Sequence, residues 1–237
     1  MKKTLIAAAA LLAASTVMAQ AGDTLKKIKD SGSISLGVRE SSGLSYTIGN
    51  GKFVGFHTEM AERIIADIRK QLGMSSLEVK YQPVTSQNRI PLVQNGTVDL
   101  ECGSTTNNAA RQKDVSFAVT TYVEEVRMAV KANSGINSIA QLNGKKVATT
   151  TGTTSVQTLR KHERATGVNF EEVYGKDHAD SFLLLESGRA DAFVMDSQIL
   201  AGNIANAKNP GEFKIVDRKS TRLNSSHSDR SRMPSSA

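Results

Sequence analysis

The sequence predicts an α/β protein of two lobes with a cleft between them. The order strand, helix, strand, helix, strand occurs twice, and a mostly extended stretch at residues 115–131 separates the two units. Residues 94–100 and 186–192 support an equivalent topology, since each contains a Gly, one further residue and then an Asp between two apolar residues. Both segments are typical of a helix end followed by a strand. Two parallel α/β units joined by extended chain form separate lobes.

The first unit begins with alternating apolar residues at Ile34, Leu36 and Val38, which predict a strand that ends at Arg39. Residues 41–55 are rich in Gly, Ser and Asn and predict a loop. Helical spacing follows over residues 60–72, with Gly73 placed to end the helix. The other expected elements are a strand at 77–84, a short helix carrying Ile90, Leu92 and Val93 that ends at Gly96, and a strand at 98–102.

The second unit has the same pattern. Its expected elements are a strand at 146–150, a helix at 153–166, a strand at 169–174, a helix at 180–187, a strand at 190–195 and a further helix from Ser197. Residues 122–127 and 213–218 are the predicted hinge strands. We therefore expect lobe 1 over residues 22–125, lobe 2 over residues 126–214 and a remnant of hinge strand over residues 215–218.

The two ends of the chain differ from this body. Residues 1–21 combine Lys2 and Lys3, an apolar Ala/Leu run and small residues around Gln20, which is typical of a cleaved secretory signal peptide and too short for a retained membrane helix. Residues 219–237 are rich in Ser and Arg, lack periodicity and predict a disordered, non-native tail. Between the ends lie 24 basic and 22 acidic side chains, so the net charge of +7 comes mostly from the ends.

Several function classes have no support in this composition. A nearly neutral body lacks the basic footprint of a nucleic-acid-binding protein. No Cys/His spacing indicates a metal site, and no cofactor motif is present. The single cysteine, Cys102, is expected to be either a buried apolar side chain or a thiol whose partner lies in a longer form of the chain.

Three arginines fall where α/β folds bind ligands, at the carboxyl ends of parallel strands. Arg39 follows the first strand, Arg89 opens a helix and Arg111 lies in a polar loop. Each of them alone would be an ordinary surface residue. Arginine side chains are bidentate partners for carboxylates, so the three would pair with an anion if the fold brings them to one place.

The segment TTGTTS at residues 150–155 runs from a strand through a Gly into a helix start. The unpaired N–H groups expected at Thr153, Thr154 and Ser155 could therefore face an anion. Ordinary helix capping would also explain these residue types.

Seven ordered segments together resemble one known family over residues 24–218: the amino-acid-binding proteins of ABC importers, and among them the glutamate/aspartate-binding branch. The resemblance implies a periplasmic-binding-protein-like type II fold with a βαβαβ sheet and flanking helices in each lobe. The family continues further at the C-terminus and returns there to the first lobe, so this chain is expected to be truncated. The segments are GVRESS (37–42), TSQNRIPLVQNGTVDLECGSTTNN (85–108), ARQKDVSF (110–117), TTGTTS (150–155), GKDHADSF (175–182), LESGRADAF (185–193) and VMD (194–196).

The resemblance also implies which residues bind the ligand. Arg111, assisted by Thr106 and Thr154, would hold the α-carboxylate, and Asp196 would hold the ammonium with hydrogen bonds from Ser104 and Thr106. Asp196 could equally cap the helix that follows it. The partners of the side-chain carboxylate, which would distinguish this branch from binders of neutral or basic amino acids, are Arg39, Ser86, Arg89 and His178.

The function implied is binding of L-glutamate or L-aspartate by a periplasmic monomer that closes about a hinge and docks on the permease subunits of an ABC transporter. The chain would not be an enzyme. Two alternatives remain: an enzyme on the same scaffold, such as a dehydratase of the cyclohexadienyl type, or the ligand-sensing module of a receptor.

Overall fold

The computed structural model describes residues 24–216, which form two α/β lobes. Lobe 1 contains α1 Thr24–Ser31, β1 Ser33–Val38, β2 Tyr46–Gly49, β3 Lys52–Val54, α2 Phe56–Gln71, β4 Glu78–Pro83, α3 Arg89–Gln94 and β5 Leu100–Glu101. Lobe 2 contains β6 Val126–Lys131, β7 Lys146–Thr150, α4 Thr154–Thr166, β8 Glu171–Gly175, α5 His178–Glu186, β9 Ala192–Asp196, α6 Ser197–Ala205 and β10 Phe213–Val216. The signal peptide and the tail predicted above lie outside the described residues.

Each lobe is built on three parallel strands in the same order. β1 lies between β4 and β5 in lobe 1, and β7 lies between β8 and β9 in lobe 2. The lobe 2 sheet continues from β9 to the antiparallel strands β6 and β10. The predicted α/β class, with a βαβαβ unit in each lobe, is therefore confirmed.

The aspartates of the two similar segments have the same structural role. Asp99 donates its backbone N–H to the carbonyl of Ser35 and accepts the Ser35 N–H on its carboxylate, both at 2.9 Å. Asp191 makes the same two hydrogen bonds with Lys146, at 2.8 and 2.9 Å. Each Asp thus ties the entry of the third strand of its unit to the first strand.

Some predicted boundaries are wrong. Residues 41–55, expected as a loop, contain the β2–β3 hairpin, whose strands are only four and three residues long and mostly exposed. Helix α5 begins at His178, two residues earlier than the helix predicted at 180–187. Residues 215–216, expected in a hinge remnant, lie in β10 and pair with β6 in the lobe 2 sheet.

Each lobe has its own apolar core, and lobe 2 has the larger one. Buried side chains cover both faces of the lobe 2 sheet, with Met128 and Leu159 on one side and Phe193 and Leu200 on the other. The lobe 1 core is a single cluster formed by Ile28, Ile34, Leu36, Val38, Ala61 and Ile65.

Cys102 packs against the lobe 1 core, and burial, followed by the nearby Glu101, raises the pKa of its thiol to about 11. A thiol with so high a pKa is a poor nucleophile. Within residues 24–216, no helix is long and apolar enough to cross a membrane. The same residues bring together no group of His, Cys, Asp or Glu side chains that could hold a metal ion.

Candidate functional site

A cavity lies between the lobes, where the first turns of four helices meet the ends of the central strands. Most of its lining is polar. The residues that line it are Arg89, Ser104, Thr106, Thr153, Thr154, Ser155, His178, Met195, Asp196 and Ile199. Seven of the predicted ligand-binding residues are among them, and Arg39, Ser86 and Arg111 are not.

The lobes touch each other around this cavity, so the structure represents a closed form. The Thr106 and Thr154 hydroxyls lie 3.4 Å apart across the cleft. At Gly152, where φ is +79°, a Cβ atom would lie 2.6 Å from the Cα of Gln87 in the other lobe. A side chain at this position would therefore hold the lobes apart.

The start of α4 presents unpaired N–H groups to the cavity. Thr153 is the N-cap residue, and its side chain makes no capping hydrogen bond because its hydroxyl donates to the Thr150 carbonyl at 2.8 Å. The Thr153 N–H also donates to Thr150, at 3.3 Å, so the expectation that this N–H is available is wrong. The N–H groups of Thr154 and Ser155 have no acceptor among the described residues. They remain available to an anion at a helix N-terminus.

Asp196 is not used as a helix cap, although it occupies the N-cap position of α6. Glu124, in the segment that crosses between the lobes, caps α6 instead by accepting hydrogen bonds from the Ser197 hydroxyl at 2.6 Å and the Gln198 N–H at 3.2 Å. Burial and then the Glu124 charge raise the pKa of Asp196 to about 6, against the opposing effect of Arg89 and Arg111. The Asp196 carboxylate is thus a buried anion that would be stabilised by a cation in the cavity.

Arg89, at the start of α3, is a buried cation with too few partners. Its side chain is 2% exposed, one Nη donates to the Ser104 hydroxyl at 3.4 Å, and its Nε has no partner within residues 24–216. Burial lowers the pKa of Arg89 to about 9, with Glu101 opposing and Arg39 and Arg111 adding to the decrease. A carboxylate in the cavity would supply the missing acceptor and the missing negative charge.

His178, the first residue of α5, is buried and neutral. Its Nδ1 lies 3.0 Å from the Thr150 hydroxyl, and its Nε2 has no partner among the described residues. Burial, followed by the charges of Arg39 and Arg89, holds the pKa of His178 well below its usual value. The imidazole therefore offers the cavity a hydrogen-bonding atom without a charge.

Arg39 makes its main contacts with the protein itself. Its fully buried guanidinium donates to the Asp177 carboxylate of lobe 2 at 2.6 Å and to the Ser86 hydroxyl at 3.1 Å, with a longer contact of 3.4 Å to Ser104. Ser41 donates to the other oxygen of Asp177 at 3.0 Å. The predicted role of Arg39 and Ser86 as direct partners of a ligand carboxylate is therefore shared with Asp177, which accepts from one Nη, while the Arg39 Nε has no partner among the described residues.

A lobe 1 side chain also caps the first turn of α5 beside Asp177. Asp177 occupies the N-cap position of α5 but makes no side-chain capping bond there. The Ser41 hydroxyl of lobe 1 accepts the Ala179 N–H of α5 at 3.2 Å instead. We call the contact among Arg39, Ser41 and Asp177 the interlobe latch. It stabilises the closed arrangement with one buried ion pair and a cap supplied by the other lobe.

Arg111 lies at the edge of the cavity and also links the lobes. Its guanidinium donates to the Thr106 carbonyl at 3.1 Å and, across the cleft, to the Gly152 carbonyl at 3.0 Å. Burial lowers the pKa of Arg111, whereas Glu101 and Asp196 act in the opposite direction. Because Arg111 contacts Gly152, just before α4, its positive charge and the N–H groups at the start of α4 favour an anion at the same end of the cavity.

Ser155, Met195 and Ile199 line the cavity and were not predicted as site residues. Ser155 was predicted only as a backbone donor. Met195 and Ile199 supply apolar surface, and nothing in a local sequence pattern separates such positions from ordinary core positions. Asp177 was visible in the GKDHADSF segment, but its partner lies 138 residues away and cannot be identified from spacing alone.

Together these groups form a cavity in which some positions favour a negative ligand group and another position favours a positive one. Arg89, Arg111 and the start of α4 favour anions, and Asp196 favours a cation. A two-lobed α/β fold that encloses such a cavity defines a binding protein for a small charged solute.

Comparisons with known proteins agree with this class. Residues 34–225 match the family model of bacterial extracellular solute-binding proteins, family 3. The match extends seven residues into the segment predicted as a tail, which lies outside the described residues. The chain therefore belongs to family 3 of the bacterial extracellular solute-binding proteins.

Two similar proteins are named for the amino acids that they bind or import. The chain is 44% identical to the L-glutamate/L-aspartate-binding protein of Pseudomonas aeruginosa, over 87% of this chain and 69% of the relative. It is 47% identical to the glutamate/aspartate import solute-binding protein of Escherichia coli, over 83% of this chain and 65% of the relative. The chain thus spans about two thirds of the length of these relatives, whose names describe binding and import rather than catalysis.

Solved structures show the same fold. An ancestral arginine-binding protein bound to glutamine has a TM-score of 0.66 and 30% identity, with 79% of each chain covered. A periplasmic binding protein of an ABC transporter from Brucella ovis, with glutathione bound, has a TM-score of 0.72 and 25% identity, with 83% of this chain and 61% of that chain covered. The predicted two-lobed type II fold is therefore confirmed.

Proposed function

We propose that this chain binds an acidic amino acid, L-glutamate or L-aspartate, between its two lobes and serves an ABC importer. The relatives named above carry this function in their names. The observation that carries the proposal is the incomplete pairing of charges in the cavity. Among the described residues, Arg89 has no carboxylate partner, the N–H groups of Thr154 and Ser155 have no acceptor, and the Asp196 carboxylate has no ion-pair partner.

An acidic amino acid supplies all three missing partners. The α-carboxylate would lie at the start of α4 near Arg111, and the ammonium would lie at Asp196 with the Ser104 and Thr106 hydroxyls. The side-chain carboxylate would lie between Arg89 and His178. Arg39 and Ser86 would act on that carboxylate from behind, because the interlobe latch already occupies the Arg39 guanidinium.

Binding and closure are one event in this proposal. Thr106 and Arg89 belong to lobe 1, whereas Thr154 and Asp196 belong to lobe 2, so a ligand that contacts both lobes stabilises the closed form. The segment that carries Glu124 and the boundary near β10 form the candidate hinge. The closed monomer would dock on the permease subunits in the membrane after export to the periplasm and removal of the signal peptide.

Ligand titration tests the proposal. Glutamate and aspartate should bind at least about 100-fold more tightly than glutamine, because an amide would leave buried Arg89 without its counter-charge, at a cost of about 3 kcal/mol. Isothermal titration calorimetry of the three amino acids into the full chain measures the ratio. Equal affinity for all three would contradict selectivity for an acidic ligand, and chemical change of the ligand during long incubation would indicate an enzyme.

The pH dependence of binding should follow Asp196. The ligand ammonium requires the carboxylate form, whose pKa is raised to about 6 in the empty cavity and would be lowered in the complex. Affinity should therefore be constant above pH 6 and fall by up to about tenfold for each pH unit below it. Titrations between pH 5 and pH 8 measure this profile. Asp196→Asn is the control, since it should bind weakly with no change in slope near pH 6.

A further inference from the structure

The strand register of lobe 2 brings Glu124 beside the start of α6. β6 pairs antiparallel with β9, and Val126 lies opposite Asp196, the last residue of β9. The pairing continues one step further, because the Ser197 N–H donates to the Glu125 carbonyl at 3.0 Å. Glu124, in the segment that crosses between the lobes, therefore reaches the first turn of α6. Its side chain does not line the cavity.

Three donors fix the orientation of the Glu124 carboxylate. One of its oxygens accepts the Ser197 hydroxyl at 2.6 Å and the Glu125 N–H at 2.8 Å, and the other accepts the Gln198 N–H at 3.2 Å. Hydrogen bonds to a carboxylate are stronger than those between neutral groups. The contact therefore holds the crossing segment to the first turn of α6.

The Gln198 N–H is a donor that Asp196 would otherwise use. An Asp at an N-cap position commonly accepts the N–H of the second or third helical residue, which in α6 are Gln198 and Ile199. Asp196 occupies that position but makes no such bond, and its side chain lines the cavity instead. Two carboxylates thus lie at one helix start, and the one that caps the helix is Glu124.

We propose that Glu124 is a positioning residue for the ligand ammonium, because it caps α6 and so keeps the Asp196 carboxylate available to the cavity. This inference rests on the proposed function for its ligand, but the division of roles between the two carboxylates is a property of the empty protein. Without Glu124, the free Gln198 N–H and the positive end of the helix dipole would draw the Asp196 carboxylate into the cap. Asp196 would then bind the ammonium less well.

Glu124 also changes the charge around Asp196. Among the described residues, Glu124 is the charged group that raises the pKa of Asp196 in addition to burial, whereas Arg89 of α3 and Arg111 of the loop after β5 lower it. Removing the Glu124 charge should therefore lower the pKa of Asp196. Because the ammonium requires the carboxylate form, the loss of glutamate affinity on acidification should then begin at a lower pH.

Two substitutions at Glu124 separate the cap from the charge. Glu124→Gln removes the charge but keeps an oxygen for the Gln198 N–H, so glutamate affinity at pH 8 should stay within about threefold of the wild type. Glu124→Ala removes both, so affinity at pH 8 should fall by about tenfold. Glu125→Gln is the matched control, because it changes the neighbouring acid, whose carboxylate pairs with Arg127 at 2.5 Å. It should change neither the affinity nor the pKa of Asp196.

The measurements are calorimetric titrations of glutamate into the full chain and its variants between pH 5 and pH 8, and a ¹³C NMR titration of the Asp196 carboxyl group without ligand, assigned with Asp196→Asn. The proposal expects a lower Asp196 pKa in both Glu124 variants than in the wild type. It also expects a large loss of affinity at pH 8 in Glu124→Ala alone.

An unchanged Asp196 pKa in the Glu124 variants, or equal affinities of the two variants at pH 8, overturns the proposal. The Asp196 pKa in Glu124→Gln provides this test even if Glu124→Ala does not fold. If the pKa falls as expected but glutamate does not bind the wild type, the proposed function fails while the division of roles between the two carboxylates stands.

Discussion

Replacing Arg89 with Met should weaken binding of glutamate at least about 100-fold without lowering the stability of the empty protein. In the closed structure Arg89 is buried, makes one long hydrogen bond to Ser104, and has an Nε that meets no acceptor in the part of the chain that the structure describes. Loss of its pairing with a ligand carboxylate should weaken binding by about 3 kcal/mol or more, which is at least about 100-fold. The empty protein would lose a poorly paired buried charge, and Met has a similar apolar stem, so its unfolding midpoint should stay equal or rise.

Calorimetric titration and thermal unfolding of the same preparation measure both effects. Arg63→Met is a matched control, because Arg63 is exposed on α2 and its loss should change neither quantity. Arg89→Lys keeps the charge but not the planar fork, so it should bind glutamate with an affinity between those of Met and Arg. Normal glutamate affinity in Arg89→Met would show that the ligand carboxylate lies elsewhere.

Asp177→Asn should release the interlobe latch. The change keeps the size of the side chain but leaves Arg39, which is fully buried, without its ion-pair partner. Removing one partner of a buried pair costs about 3–5 kcal/mol when the other charge stays buried. Opening of the cleft would let water reach Arg39, so the ligand-free variant should populate the open form more than the wild type does.

Small-angle X-ray scattering or a donor–acceptor dye pair, with one dye on each lobe, reports this opening in the absence of ligand. Asp180→Asn is the control: Asp180 is also acidic and lies in the first turn of α5, but it is exposed and makes no contact with Arg39. It should leave the distance between the lobes unchanged. If Asp177→Asn leaves that distance and the unfolding midpoint unchanged as well, the ion pair does not stabilise closure.

The architecture could be predicted from the sequence because both lobes follow local rules. Alternating apolar residues were enough to identify β1. The repeated Gly-x-apolar-Asp segments make the same pair of hydrogen bonds in each lobe. The β2–β3 hairpin was missed because its strands are only four and three residues long and the segment around them is rich in Gly, Ser and Asn.

The sequence could predict which residues belong to the site, but not which contacts they make. Sequence reasoning identified Arg89, Thr154 and Asp196, and these three line one cavity. It could not foresee that Glu124 caps α6 and leaves Asp196 unpaired, or that Asp177 occupies Arg39. Both outcomes depend on contacts between distant parts of the chain, and several side chains of equal chemistry could have made them.

The most direct test of the account is a crystal structure of this chain grown with L-glutamate. We expect the ligand ammonium within about 3 Å of the Asp196 carboxylate. One ligand carboxylate should accept the N–H groups of Thr154 and Ser155, and the other should contact Arg89. Glutamate bound outside the cleft, or bound in the cleft with its ammonium directed away from Asp196, would contradict the account.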